Sequence, residues 1–239
     1  QASQIKTQFL NLVTHELRTP LTGLKLQLDR LARDQQALSP RHRTVVDRMQ
    51  QSSGRLADLI ESVLEHARLD GGQLRIGSEE VAVPQVARAV EDELRSLAES
   101  KGLQMSVSAA ADLPRLRTDA RLLRLVLSNL IGNAVKFTEQ GIVEVRCTYE
   151  EGSHVIAVRD TGPGIAPAAM GTIFEPFTHI EPLSQKHTPG VGLGLALVRQ
   201  MVRALRGDIT LTSQREQGSV FTVRLPSLPQ EGTEEQAAS

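Results

Sequence analysis

A histidine near the start of the chain is the first side chain whose neighbours suggest chemistry. Glu16 follows His15 directly, and Thr19 lies one helical turn further along the same face of a predicted helix. An imidazole is a competent nucleophile near neutral pH, and a nearby carboxylate can take or hold the proton of the other ring nitrogen. An isolated histidine at a helix edge is more often a solvated surface residue, so the surrounding pattern has to decide.

A second group of candidate residues lies along one face of a predicted helix over residues 119–137. Asn129 and Asn133 are four residues apart, and Lys136 follows three residues later. Mg²⁺ prefers a few hard oxygen ligands together with phosphates, so an Asn carbonyl beside a Lys suits a magnesium-bound triphosphate. Two asparagines on one helix are by themselves a weak signal, because such residues more often cap helices or contact solvent.

Two glycine-rich segments could complete a nucleotide site, although the chain has no G-x-x-x-x-G-K-[ST] phosphate loop. A predicted strand ends at Asp160, and Gly162 and Gly164 follow it, so a ligand could approach the backbone closely. The carboxylate can accept a hydrogen bond from an amino group such as that of adenine, although an ordinary Asp-Gly turn is the alternative. Glycines at positions 190, 192 and 194 open a predicted helix whose free N–H groups can bind phosphate.

The histidine requires a long helix, and the first third of the chain has the pattern for two. Over residues 5–33 the spacing of the leucines alternates between four and three, which is a heptad pattern, and a similar spacing recurs over residues 45–67. Pro20 predicts a bend one turn after His15. The two helices form an antiparallel hairpin that buries only one stripe on each helix. We therefore expect two copies to pair into a four-helix bundle.

The rest of the chain requires a different architecture, because short strands alternate with helices from about residue 73. We predict strands over 74–83, 103–108, 143–149, 155–159, 208–213 and 219–225, and helices over 84–100, 119–137 and 192–205. Residues 162–190 have a loop-like composition, and the last dozen residues are expected to be disordered. This order of elements predicts an α+β sandwich.

Composition excludes several classes of protein. The 239 residues carry 27 Lys and Arg against 28 Asp and Glu, so the net charge of −1 argues against a general nucleic-acid or membrane footprint. Aromatic residues make up only 3%, which removes the stacking platforms of single-strand binders. Cys147 is the single cysteine, and we expect it to lie inert in a strand. No segment is long and apolar enough to span a membrane, and no signal peptide opens the chain.

Two sets of motifs together resemble a known family. Residues 15–21, His-Glu-Leu-Arg-Thr-Pro-Leu, resemble the H box of sensor histidine kinases residue for residue. The asparagine helix, the two glycine segments and residues 174–177, Phe-Glu-Pro-Phe, resemble the N box, two glycine boxes and phenylalanine box of the ATP-binding domain of these kinases. Hsp90 and type II topoisomerases share part of this second set. The resemblance covers roughly residues 1–226.

The resemblance implies a role for each motif. His15 would accept the phosphoryl group, Glu16 would act as its base, and Thr19 would orient water for dephosphorylation of a partner. Asn133 would bind Mg²⁺ with Asn129 nearby, Lys136 would contact phosphate, and Asp160 would recognise adenine. The glycines that would shape the pocket are Gly162, Gly164, Gly190, Gly192 and Gly194.

A lid over residues 165–189 is also implied, and here the chain departs from the family pattern. His179 stands where many relatives carry an arginine or glutamine, so we assign the lid contact with the γ-phosphate to Lys186. Val191 replaces a frequent threonine, which is tolerated if backbone N–H groups bind the phosphate. Neither change removes a named essential group.

These motifs predict a dimerisation and histidine phosphotransfer hairpin over residues 1–70, an ATP-binding catalytic domain over 71–226 and a disordered tail over 227–239. The predicted activity is autophosphorylation from Mg-ATP and transfer to an aspartate of a response regulator receiver domain, with dephosphorylation of that partner. We expect a cytoplasmic homodimer, alone or as the cytoplasmic part of a larger sensor, with no nucleic acid and no membrane contact within this fragment. The alternative is a non-catalytic ATP-binding dimer of the GHKL type that signals by conformation. An Hsp90-like or topoisomerase-like ATPase would lack the histidine-bearing hairpin.

Overall fold

The chain divides into two compact units, Gln1–Leu74 and Arg75–Ser239. The computed structural model describes residues 22–24, 26–31, 39, 42–46, 49–50, 52–53, 76–176, 178 and 194–227. The predicted domain boundary at residue 70 and nearly all of the predicted disordered tail lie outside these residues. Each unit is described by itself.

In the first unit, every described residue except Ser39 is helical. Ser39 begins the second helix. Its main-chain oxygen accepts a hydrogen bond from the Arg43 N–H at 3.0 Å, and its hydroxyl oxygen accepts one from the backbone N–H of His42 at 3.4 Å. The Gln50 side-chain amide donates to the Asp29 carboxylate at 2.9 Å and so joins the two helices.

Among the described residues of this unit, only some of the apolar side chains are buried within the single chain. Leu28 and Val46 are 4% and 7% exposed, whereas four apolar side chains are between 42% and 52% exposed. These four, which we call the exposed hairpin side chains, are Leu24, Leu31, Val45 and Met49. Val45 and Met49 belong to the predicted apolar spacing over residues 45–67, and in the single chain the next positions, Val46 and Gln50, are the less exposed ones. Apolar residues therefore occupy more than one strip of this helix.

The second unit is an α+β sandwich, which confirms the predicted class. The strands are β1 (Glu79–Val81), β2 (Gln104–Ala109), β3 (Leu116–Thr118), β4 (Ile142–Glu150), β5 (Ser153–Asp160), β6 (Asp208–Gln214) and β7 (Gly218–Pro226). The helices are α1 (Val83–Ser100), α2 (Ala120–Phe137), α3 (Pro167–Met170) and α4 (Gly194–Ala204). Five strands form one sheet in the order β2-β4-β5-β7-β6, in which only the β2–β4 pair is parallel.

The core of this unit lies between the sheet and the helices, with α2 between α1 and α4. One face of α2 is wholly apolar and buried, and its side chains are Leu122, Leu123, Val126, Leu127, Leu130, Ile131, Ala134 and Val135. Burying a side chain the size of leucine is worth roughly 1.5–3 kcal/mol, so this face fixes the position of α2. The opposite face is left to carry polar residues.

Three details of the sandwich correct the sequence predictions. Of the strand expected over residues 74–83, the described residues 76–83 contain only β1, and Val83 already belongs to α1, where Pro84 occupies the first turn. The strand β3 was not predicted, and it pairs with β1 as a separate antiparallel ribbon. Residues 162–190 were expected to be loop throughout, but α3 lies within them.

Buried polar groups of this unit have packing roles. Cys147 in β4 is fully buried, and burial raises the pKa of its thiol to about 11, which confirms the prediction of an inert cysteine. His154 is also fully buried, with Nε2 2.9 Å from the Pro114 carbonyl oxygen and its ring packed edge-on against Tyr149. These contacts give His154 a packing role.

Candidate nucleotide-binding site

The polar face of α2 carries three of the predicted site residues. Asn129, Asn133 and Lys136 are each partly exposed, on the side opposite the buried apolar face. The Asn129 side-chain nitrogen donates to the Leu125 carbonyl oxygen at 2.9 Å. Its side-chain oxygen lies 3.0 Å from the point that a β-carbon on Gly194 would occupy. The structure thus brings the asparagine face of α2 against the first residue of α4, as the combined motif predicts.

Asp160 lies at the last position of β5, where it is only 7% exposed. Its carboxylate accepts hydrogen bonds from the backbone N–H of Gly162, at 2.8 Å, and of Ser219 on β7. Burial raises the pKa of Asp160, and the two backbone N–H groups oppose this effect. A carboxyl group held in this way can accept a hydrogen bond from a ligand amino group with little competition from water.

Gly164 is required by the turn that follows Asp160. Its φ is +67°, and a β-carbon there would lie 2.0 Å from the Gln214 carbonyl oxygen. At Gly162 a β-carbon would lie 2.9 Å from the Asp160 carboxylate. The Pro163 carbonyl oxygen accepts from the Glu216 N–H at 2.8 Å, which ties this turn to the β6–β7 connection. The glycines therefore let the backbone pack against the carboxylate, whereas the close approach of a ligand stays a prediction.

The phenylalanine motif is fixed to the fold at its first two residues. The Glu175 carboxylate pairs with the Arg199 guanidinium of α4 at 2.9 Å. The same guanidinium lies 5.8 Å from the centre of the Phe174 ring, which packs edge-on against Phe221. Ile173 is 3% exposed, so the first part of the predicted lid, up to residue 176, is packed against the domain. The lid over residues 165–189 stays a prediction, and within its described part Ile173 is buried and Glu175 pairs with α4.

Sequence reasoning missed three residues around this site. Phe137 is 39% exposed and lines a cavity of about 380 Å³ together with Thr161, Gly162 and Pro163. Its position directly after Lys136, in a chain with five phenylalanines, was the available signal. Arg199 and Thr138 gave no comparable signal, because their importance depends on contacts with distant parts of the chain. The other predicted site residues, His15, Glu16, Thr19, Lys186, Gly190 and Gly192, lie outside the described residues.

Comparison with known proteins decides the family. Residues 5–72 match the model described as "His Kinase A (phospho-acceptor) domain", and residues 118–229 match "Histidine kinase-, DNA gyrase B-, and HSP90-like ATPase". The sensor histidine kinase RcsC of Salmonella typhimurium is 36% identical over 230 residues, which cover 95% of this chain and 24% of RcsC. The chain belongs to the sensor histidine kinase family. Its family is one of ATP-dependent protein-histidine kinases of two-component systems.

Other sensor histidine kinases are similar over the same region. AtsR of Burkholderia thailandensis is 33% identical over 92% of this chain and 37% of its own length. Among solved structures, full-length ShkA in complex with AMPPNP has a TM-score of 0.77 and 32% identity, covering 92% of this chain and 46% of ShkA. AdeS of Acinetobacter baumannii has a TM-score of 0.64 and 25% identity, covering 89% of this chain and 98% of that one. The chain spans about a quarter to a third of the length of the curated kinases named here.

The family's two domains account for both sets of sequence motifs. The phosphoacceptor match contains His15, and the ATPase match contains every predicted nucleotide-binding residue. Within the part of the chain that the structure describes, no helix has the length and apolar character needed to cross a membrane. The two domain matches confirm the resemblance to sensor histidine kinases that the motifs indicated.

Proposed function

We propose that this chain is a histidine kinase core that transfers the γ-phosphoryl group of Mg-ATP to His15. The observation that carries the proposal is a combination within one chain. The phosphoacceptor match contains His15, and the following unit holds Asn129 against Gly194 and buries Asp160 at the end of β5. Phosphoryl transfer needs positioning and charge neutralisation more than covalent chemistry from the protein, and these are the properties that such a pocket supplies.

The nucleotide would be held by residues on three elements. Asp160 accepts a hydrogen bond from the adenine amino group, and Lys136 contacts phosphate. Asn133, with Asn129 nearby, offers the hard side-chain oxygens that fit Mg²⁺, which would neutralise charge on the phosphates. Glycines 190, 192 and 194 would offer backbone N–H groups to the phosphates, and Lys186 would contact the γ-phosphate. The AMPPNP complex of the similar kinase ShkA supports nucleotide binding by this chain.

His15 would then act as nucleophile and as phosphoryl donor. The bond between the γ-phosphorus and the leaving oxygen of ADP breaks, and a bond between the phosphorus and a ring nitrogen of His15 forms. Glu16 takes the proton from the imidazole. The phosphoryl group passes next to an aspartate of a response regulator, and Thr19 orients the water that later hydrolyses the phosphoaspartate.

A homodimer would complete this assembly. The exposed hairpin side chains leave apolar surface on both helices of the first unit, and a second copy would cover it in a four-helix bundle. We place this core in the cytoplasm, where ATP and receiver domains are available.

The test is labelling with γ-³²P-ATP and Mg²⁺ in the parent chain and in two variants. His15→Gln should lose all label, whereas His42→Gln should keep it. His42 is the matched control, because it is an exposed histidine of the same unit whose Nδ1 lies 3.0 Å from the Ser39 hydroxyl. The label in the parent should be lost in acid and retained in alkali, as phosphohistidine requires.

Two outcomes would contradict the kinase proposal. Label that persists in His15→Gln would place the phosphoryl group elsewhere. A parent chain that binds ATP by calorimetry but gains no label would support the non-catalytic dimer that signals by conformation.

A further inference from the structure

Lys101 follows the last residue of α1 and reaches the far end of α2. Its ammonium nitrogen lies 2.7 Å from the Val135 carbonyl oxygen, 2.8 Å from that of Lys136 and 3.1 Å from that of Thr138. An ammonium has three N–H donors, so these contacts use all of them. The last carbonyl groups of a helix lack partners within the helix and form the negative end of its dipole. Lys101 therefore closes the C-terminal end of α2.

Partial burial accompanies this contact. Burial lowers the pKa of Lys101, and the carboxylate of Glu139 opposes the shift. A lysine side chain that stays near the surface normally keeps its ammonium in water. Here the ammonium exchanges part of its hydration for three main-chain oxygens. The side chain is therefore held in place against the end of α2 and is not free in solvent.

The end of α2 that Lys101 holds is in contact with the turn after Asp160. The point that a β-carbon on Gly162 would occupy lies 3.3 Å from the Thr138 hydroxyl and 3.3 Å from the Phe137 carbonyl oxygen. The Asp160 carboxylate is 2.9 Å from the same point. Thr138 is fully buried, and its hydroxyl makes no hydrogen bond. Main-chain position, and not a side-chain hydrogen bond of Thr138, therefore sets this contact.

We propose that Lys101 is a positioning residue of the nucleotide site. It holds the last turn of α2, with Lys136 and Phe137, at a fixed distance from Asp160. Its own ammonium is occupied by the three carbonyl groups, so it acts through them and touches no ligand. This inference rests on the proposal that the pocket binds ATP.

The variant that tests this link is Lys101→Met, which keeps most of the side-chain stem and removes the ammonium. We expect its ATP dissociation constant to rise about tenfold, because the loss of three hydrogen bonds to a charged group releases the last turn of α2. The autophosphorylation rate at saturating ATP should change less than about twofold. Titration calorimetry and initial rates over a range of ATP concentrations measure the two quantities.

Arg124→Met is the matched control. It removes the ion pair between Arg124 of α2 and Glu93 of α1, which links the same two helices through exposed side chains. Both variants should lose some thermal stability, but Arg124→Met should keep its ATP affinity within about twofold. Equal losses of affinity in the two variants, or no loss in Lys101→Met, would overturn the proposal.

Hydrogen exchange in nucleotide-free protein separates this inference from the proposed function. Amides of residues 137–138 and 160–162 should exchange faster in Lys101→Met than in the parent or in Arg124→Met. If the parent binds no ATP, the proposed function fails, and the exchange comparison still decides whether Lys101 fixes the site. Unchanged exchange at residues 160–162 would show that the link does not reach Asp160.

Discussion

The carboxyl group of Asp160 lies where its negative charge is disfavoured. Burial raises its pKa above the ordinary value of 3.8, and only two backbone N–H groups, from Gly162 and Ser219, oppose the shift. A carboxyl whose pKa is raised in the folded state costs stability once it ionises. The loss therefore begins as the pH rises through 3.8 and is complete above the raised pKa. Ligand recognition and stability make opposite demands on this residue.

We predict that Asp160→Asn leaves the nucleotide-free protein at least as stable as the parent at pH 7 while weakening ATP binding more than about tenfold. The amide keeps an acceptor oxygen for a backbone N–H but carries no charge, and its NH₂ group faces the adenine amino group. Thermal unfolding between pH 4 and pH 7 should show the stability difference growing with pH. A variant that unfolds several degrees earlier than the parent, or that keeps full ATP affinity, would contradict this account.

Among the elements, α2 is the one on which the site depends. Side chains of residues outside the helix fix both of its ends. Lys101 holds the C-terminal end. At the N-terminal end, one carboxylate oxygen of Asp119 accepts from the Leu122 N–H at 2.9 Å, and the other accepts from the Gly77 N–H at 2.8 Å. Asp119 is 6% exposed, so both bonds are shielded from water. The helix predicted to begin at Asp119 is confirmed, whereas nothing in the sequence indicated the hydrogen bond to Gly77.

Asp119→Ala should lower the free energy of unfolding by about 2–3 kcal/mol, because it removes the helix cap and leaves the Gly77 N–H without its partner. Asp119→Asn keeps one oxygen and should cost about half as much. Urea unfolding of the second unit, followed by circular dichroism, measures both. Equal losses for Ala and Asn would mean that charge at the helix start, and not the pair of hydrogen bonds, stabilises α2.

The elements that the sequence predicted well are those with a repeating pattern. The bounds of α1, α2, β2 and β4 agree with the predicted segments to within a residue or two, because long amphipathic helices and alternating strands have a periodicity. The strands β1 and β3 have three residues each, and they exist through their pairing with one another. The same difference between local pattern and distant contact applies to the site. The glycine spacing and Asp160 could be seen in the sequence, whereas the Arg199–Glu175 pair could not, because it joins residues 24 positions apart.

At the scale of the whole molecule, the exposed hairpin side chains are the feature that requires a partner. A folded first unit leaves Leu31 48% and Met49 52% exposed. Solvent contact of this kind is ordinary for one side chain, but four of them on a two-helix unit favour association. The homodimer remains a prediction that solution mass can decide.

Met49→Glu should shift the chain from dimer to monomer, with a dimer dissociation constant raised at least tenfold, because burial of methionine is worth about 1.5–3 kcal/mol and a buried charge is costly. Light scattering across a dilution series measures the mass. Leu97→Glu is the control, since Leu97 is 50% exposed on α1 of the second unit. A parent that is monomeric at all concentrations, or a Met49→Glu chain that stays dimeric, would exclude this interface.

The buried thiol of Cys147 is also a built-in probe of opening motions in the second unit. The chain has one cysteine, and it lies in β4, whose neighbours in the sheet are β2 and β5. A thiol reagent can reach the sulfur only when the packing around this strand opens, and the raised pKa slows the reaction further. The labelling rate of the unmodified protein under native conditions therefore measures how often the core of the second unit opens.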